Sequence, residues 1–173
     1  MIKASIKPRF SPVPLYLFRD IKDITADFLE QLGIKFLMLD LDNTIAAYDE
    51  HVFSDDIFTW ISNIKNNGIE IFVISNSTRK IRVESHSKSI DAGFIMEAYK
   101  PSPKGLHKAM EKAGYEAGVS ALAGDQVFTD ALAANRAGIV SIIVKPRRFT
   151  NPFLALRYYL EVPFRMLCKN KIT

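Results

Sequence analysis

The run Lys35-Phe36-Leu37-Met38-Leu39-Asp40-Leu41-Asp42-Asn43-Thr44 passes abruptly from large apolar residues to two acids with one residue between them. An apolar run bounded by polar residues reads as a buried strand of a parallel sheet, with Asp40 at its carboxyl end. Open α/β sheets place their ligands at that end. Two carboxylates at a strand tip repel each other and resist desolvation, so a positive group is expected beside them, most simply a divalent cation with oxygen ligands. Asp is also a common turn residue, and this stretch alone reads equally well as a polar loop leaving a strand.

On the N-terminal side, Pro8, Pro12 and Pro14 among Phe10, Leu15, Tyr16, Leu17 and Phe18 exclude a continuous helix and predict an extended arm. Its apolar side chains could lie on the domain itself, a second subunit or a membrane surface. Asp20 or Asp23 is placed to cap a helix running to about Gln31, with Gly33 ending it. On the C-terminal side, Ser54-Asp55-Asp56 starts a helix whose buried stripe is Ile57, Phe58, Trp60, Ile61 and Ile64, and Asn67-Gly68 stops it. Ile69 to Ile74 is a second buried strand, followed by Ser75-Asn76-Ser77 and a polar helix from about Thr78 to Ser89. Gly93 to Met96 is a weaker strand. Lys100-Pro101-Ser102-Pro103 leads into a helix ending at Gly114, with Ser102 as cap and Pro103 first in the helix. Val119 to Ala123 reads as a strand, Thr129 to Ala137 as a helix and Ile139 to Val144 as the last strand. Strands alternating with single helices predict an α/β, doubly wound, Rossmann-like parallel sheet with helices on both faces.

The 173 residues suffice for one well-cored domain. We divide them into an N-terminal arm and helix packing on the core (1–34), a core (35–145) and a basic, aromatic C-terminal tail (146–173). A composition of 48% hydrophobic and 24% charged residues is that of a globular chain. The single cysteine, Cys168, excludes an internal disulfide framework and a cysteine-based zinc site. With neither a secretory pattern nor an apolar run long enough to span a bilayer, a cytoplasmic enzyme is expected. The net charge of +4 and a pI near 9.1 favour polyanions or phosphate substrates.

Three strand ends present polar residues to the same crevice: Asp40 and Asp42; Ser75 and Asn76; and Gly124-Asp125-Gln126-Val127-Phe128-Thr129-Asp130. Lys100 lies between the last two, held by its proline. Several carboxylates, a hydroxyl and an ammonium suit phosphoryl transfer, in which a metal neutralises the acids. His51, His86 and His107 share no metal-ligand spacing. Arg79 and Lys104 stand near the expected crevice, and Asn135-Arg136 is placed to hold the Asp125 loop.

These four motifs, in this order and at strand ends, resemble those of the haloacid dehalogenase superfamily of phosphatases. The proline-rich arm, Asp-Leu-Asp-Asn-Thr at 40–44, Lys-Pro-Ser-Pro-Lys-Gly at 100–105 and Gly-Asp-Gln-Val-Phe-Thr-Asp at 124–130 further resemble the YqeG family of class IIIA phosphatases, which is similar to phosphatidylglycerophosphate phosphatases. The resemblance implies Asp40 as nucleophile, Asp42 as general acid and base, and Lys100 as the cation offsetting charge. It implies Thr44 fixing the loop, and Ser75 with the backbone around Asn76 binding the phosphoryl group. It also implies Mg²⁺ held by Asp40, the Asp42 carbonyl, Asp125 and Asp130.

About 30 residues lie between Asp42 and Ser75 and about 25 between Ser75 and Lys100, room for one helix and one strand each and for no cap domain. An uncapped crevice suits a substrate whose bulk stays outside. Phe10, Tyr16, Phe18, Phe153, Tyr158, Tyr159 and Phe164, with nearby arginines, have the composition of a membrane interface, which points to a phospholipid phosphate; packing on the sheet or a homodimer seam would use the same residues. The aromatics are not interleaved with a continuous basic stripe, so nucleic acid is not the expected partner. A soluble phosphate ester, or a non-catalytic phosphate-binding or scaffold role, is the alternative.

Overall fold

The computed structural model describes residues 6–149 and 152–172. Along the chain run β1 (Tyr16–Phe18), α1 (Ala26–Gln31), β2 (Phe36–Leu39), α2 (Asp55–Asn66), β3 (Glu70–Ile74), α3 (Lys80–Ser89), β4 (Gly93–Ile95), α4 (Lys104–Ala113), β5 (Ser120–Gly124), α5 (Leu132–Ala137), β6 (Val140–Ile143), α6 (Pro152–Met166) and β7 (Asn170–Ile172). The strands form one parallel sheet in the order β4-β3-β2-β5-β6-β1-β7. This is the doubly wound α/β sheet the alternating pattern predicts, with no separate cap.

Period-two alternation along β2 divides the core. Leu37 and Leu39 enter the cluster that includes Trp60, Ile61 and Ile64 of α2 and Val83 of α3, whereas Phe36 and Met38 join Leu106, Ala109 and Met110 of α4 and Ala133, Ala134 and Ala137 of α5. Because both faces are covered, β2 is apolar at every position and completely buried. Each large side chain so placed contributes about 1.5–3 kcal/mol by leaving water.

Several local expectations are corrected. Asp20 caps only a short 3₁₀ turn, Ile21–Asp23, and α1 starts afterwards with Thr25, whose hydroxyl accepts from the Phe28 N–H at 3.1 Å. Pro103 precedes α4 rather than opening it. The helix expected from Thr129 begins instead as a wide turn, Val127–Ala131, in which i→i+5 bonding draws Asp130 under the end of β5 before α5 proper starts. A Cβ at Gly124 would collide with that Asp130 carboxylate, so the close approach requires glycine.

The described N-terminal arm and C-terminal segment each add a strand to the sheet. β1 pairs with β6 on one side and β7 on the other. Asn135 does not hold the Asp125 loop: its amide donates to the Ser11 and Val13 carbonyls at 2.6 and 2.9 Å, fixing the arm, while Arg136 donates to the Pro101 carbonyl at 3.0 Å. After Pro146 the chain is not interrupted at Pro163, and α6 runs through it. No described helix is long and apolar enough to cross a membrane.

Candidate active site

β2 ends against β3 on one side and β5 on the other, so the residues following these three strands converge. Asp40 continues the ladder, its N–H donating to the Ala123 carbonyl at 2.9 Å. The chain then reverses through Asn43 in the left-handed region (φ 66°), closed by an Asn43 N–H to Ala46 carbonyl bond of 2.7 Å. Asn43 also exchanges two side-chain bonds with the Arg148 backbone, at 2.8 and 2.9 Å, clamping the loop after β2 to the loop after β6.

Lys100 enters from the loop before α4, across a cis bond to Pro101. Its ammonium donates to Asp40 Oδ1 at 2.6 Å and to the Ile74 carbonyl at 3.0 Å, and it forms an ion pair with Asp130 Oδ1 at 2.8 Å. Asn76 grips the Lys100 backbone at both ends: the amide donates to its carbonyl at 2.9 Å and the amide oxygen accepts its N–H at 2.8 Å. The Asn76 side chain is thus engaged in positioning the lysine. Thr44 Oγ1 donates toward Asp40 Oδ2 at 3.1 Å and Asp125 Oδ1 at 3.4 Å, bridging two strand ends.

Carboxylate oxygens of Asp40, Asp125 and Asp130 lie within 4.8 Å of one another, all three residues buried. Lys100 supplies one positive charge to the three. Burial, and then the neighbouring acids, push Asp40 up to about 7 despite Lys100, and burial with Asp40 and Asp130 beside it raises Asp125 well above the carboxylate range. For Lys100, burial acts downward but the Asp130 and Asp40 carboxylates outweigh it, so the amine stays protonated. The trio therefore lacks positive charge, and its all-oxygen donor set fits a hard divalent cation such as Mg²⁺.

Asp42 stands apart from the trio. Its carboxylate meets the Arg82 Nε at 3.1 Å, and Arg82 also donates to the Ala47 carbonyl at 2.7 Å and to the Glu50 carbonyl. This ties the loop bearing Asp42 to α3. The crevice, about 360 Å³, is lined by Asp40, Asp42, Ser75, Asn76 and Lys100 together with Tyr48, Arg79, Gln126, Thr129 and Arg157. Burial and the nearby acids push the Tyr48 phenol up to about 12. Lys104 is not among the lining residues. Asn43 was read only as part of the Asp-Leu-Asp-Asn-Thr motif and given no role, and Arg82, Tyr48 and Arg157 received no role in the site because nothing in their local pattern distinguishes them from other polar residues.

A model of the haloacid dehalogenase-like hydrolases matches residues 14–138. The chain belongs to that family. It is 29% identical over 159 residues to "Probable phosphatase YqeG" of Bacillus subtilis (strain 168), covering 92% of this chain and 91% of the relative. It is also 26% identical over 162 residues to phosphatidylglycerophosphate phosphatase 1, chloroplastic/mitochondrial, of Arabidopsis thaliana, covering 88% of this chain and 47% of the longer relative. The fold is shared with the cobalt-bound deoxy-D-mannose-octulosonate 8-phosphate phosphatase of Haemophilus influenzae, at TM-score 0.53 and 16% identity over 82% of this chain and 79% of that one. The expected reaction class, hydrolysis of a phosphoric monoester, stands with these relatives.

Proposed function

We propose that this family member hydrolyses a lipid phosphate, with phosphatidylglycerophosphate as the substrate suggested by the Arabidopsis relative, and that it does so through a phosphorylated Asp40. The observation that carries the mechanism is the convergence of Asp40, Asp125, Asp130 and Lys100 in one buried cluster, with Asp42 beside it on a separate tether.

An Asp40 oxygen attacks phosphorus, forming an acyl-phosphate bond as the ester P–O bond breaks. Asp42 gives its proton to the departing oxygen; it then takes one from the water that cleaves the acyl phosphate, restoring both acids. The two carboxyls need opposite starting states; Asp40 lies against the Lys100 ammonium inside the cluster, and Asp42 lines the crevice from a loop tied to Arg82. Lys100 favours the ionised Asp40 against the burial that raises it and steadies the phosphoryl charge, and Ser75 stands at the end of β3 to bind phosphoryl oxygens. Asp40, Asp125 and Asp130, with the Asp42 carbonyl, would hold Mg²⁺, which supplies charge neutralisation to the acids and the phosphoryl group when bound.

The uncapped crevice is large enough for a phosphorylated head group, and acyl chains would remain outside it. Reaching such a substrate requires peripheral contact with the membrane. The test is a phosphate-release screen comparing phosphatidylglycerophosphate with soluble sugar and nucleotide monophosphates and 3′-phosphorylated oligonucleotides. Highest kcat/KM on the lipid is expected. Higher values on a soluble ester would replace the lipid reading while leaving the phosphatase reading intact, and no release from any ester would remove both.

A further inference from the structure

Of the aromatics expected to meet a membrane, several turn out to be structural. Phe18 and Tyr16 pack edge-on against Phe28, Phe164 against Phe128, and Tyr158 lies under the Arg165 guanidinium. The exposed large apolar residues that share one element lie along α6 and include Phe153 and Tyr159 of that set.

Phe153, Leu156, Tyr159, Leu160, Met166 and Leu167 are 57 to 71% exposed. At 3.6 residues per turn they occupy one continuous arc of about 140°, which Pro163 also joins. Leu167 continues the turn, its N–H donating to the Pro163 carbonyl at 3.2 Å. Of the charged residues of the helix, Glu161 and Arg165 lie on the opposite side and Arg157 flanks the arc, and all three are used inward. Glu161 and Arg165 are buried; Arg165 donates to the Val144 carbonyl at 3.1 Å and to the Asp125 carbonyl, Glu161 accepts the Phe128 N–H at 3.3 Å, and Arg157 lines the crevice. An ordinary surface helix buries its apolar face and shows water its charges. In α6 the arrangement is reversed, and an exposed apolar stripe of this extent marks a contact surface.

Charge identifies the occupant. Lys145, Lys169 and Lys171 are exposed beside the C-terminal end of the stripe, and none forms an ion pair among the described residues. At the other end lies Arg148, paired with Asp49. Between positions 146 and 173 the one acid is Glu161, which is buried. A second copy of the same face would bring cations against cations, the exposed acid beside the stripe, Asp49, being already paired with Arg148. An apolar stripe rimmed by free ammonium groups is instead complementary to a layer with an apolar interior and an anionic surface.

We propose that the outward face of α6 docks on an anionic phospholipid bilayer, inserting Phe153, Leu156 and Leu160 among the acyl chains with the lysines among the headgroups. Arg157 projects from the same helix into the crevice, so docking brings the site to the membrane surface. That consequence rests on the lipid-phosphatase reading; the docking does not require turnover.

The experiment is cosedimentation of the full chain with phosphatidylcholine vesicles, with and without phosphatidylglycerol as about a third of the lipid. The parent should bind the anionic vesicles, more weakly as salt rises, and should bind the neutral ones poorly. The variant carrying Phe153→Ser, Leu156→Ser and Leu160→Ser should lose about tenfold or more of the partition, with thermal unfolding and p-nitrophenyl phosphate hydrolysis unchanged. A parent that ignores anionic vesicles, or a variant that binds as well as the parent, overturns the proposal. So does a parent that sediments as a dimer which the variant dissolves, since a second copy then covers the face. Should the triple variant not fold, Leu156→Cys bearing an environment-sensitive dye decides, because Cys168 is buried. A blue shift with anionic vesicles supports insertion, and its absence overturns it. Vesicle binding without hydrolysis of any ester would sink the phosphatase reading and leave the docking intact.

Discussion

At the carboxyl ends of β2 and β5 the protein buries Asp40, Lys100, Asp125 and Asp130, while along α6 it leaves six large apolar side chains exposed to water. Each region inverts the usual partition of side chains, in opposite directions. The buried charges are fixed from several sides: two acceptors and the Asp130 carboxylate hold the Lys100 ammonium, Asn76 holds its backbone and Thr44 bridges Asp40 to Asp125. The exposed stripe has no such partners, although the inward face of the same helix reaches the Asp125 backbone through Arg165. A site that moves charge needs preorganised groups withdrawn from water. A surface that meets a fluid layer needs only area and a charged rim.

Substitutions should separate the two regions. Asp40→Asn is expected to lower phosphate release from a soluble ester by about a thousandfold or more while circular dichroism and vesicle binding stay unchanged, because it removes the attacking oxygen but keeps the shape. Undiminished release would assign the nucleophile elsewhere. Lys100→Met leaves the three acids with no cation among them and should destabilise the fold by about 3 kcal/mol in urea titrations, with Mg²⁺ recovering part of the loss. If Mg²⁺ gives no recovery, the trio is not a cation site.

Arg165→Met tests the join between the regions. It strips the Val144 and Asp125 carbonyls and Glu161 of a buried donor, with an expected cost of about 2 kcal/mol and a fall in turnover as the Asp125 loop loosens. Lost stability with unaltered turnover would show the loop to be held without α6. The smallest effect is expected at His86, which is buried against Phe53 with Nδ1 2.9 Å from the Arg82 carbonyl. Burial holds its imidazole below the usual value of 6.5, outweighing that bond. The unfolded chain therefore binds the proton more readily, and the stability present above about pH 6.5 declines as pH falls below it. His86→Phe should flatten this part of the unfolding profile, and an unchanged slope would place the titrating group elsewhere.

The strand-end motifs were legible because they are short-range patterns: β2 is apolar at every position, and the polar residues that matter follow immediately. Arg82 was not, since it lies 40 positions from Asp42 and resembles its exposed neighbours in an otherwise polar helix. β1 was hidden among prolines; its three residues become a strand only when β6 and β7 flank them. The wide turn at Val127–Ala131 has the pattern of a helix start, and the steric demand of Gly124 and Asp130 lies in space rather than in sequence.

The α/β order, the identity of the acids and lysine, and the absence of room for a cap all follow from the chain's pattern and spacing, because strand periodicity and loop length are local properties. Two matters needed the tertiary structure. The roles of the buried charges depend on how many cations face how many carboxylates, a sum over residues from separate strand ends. The direction of α6 depends on its inner charges finding carbonyls and an N–H beneath them, and that pairing turned the apolar side of the helix outward.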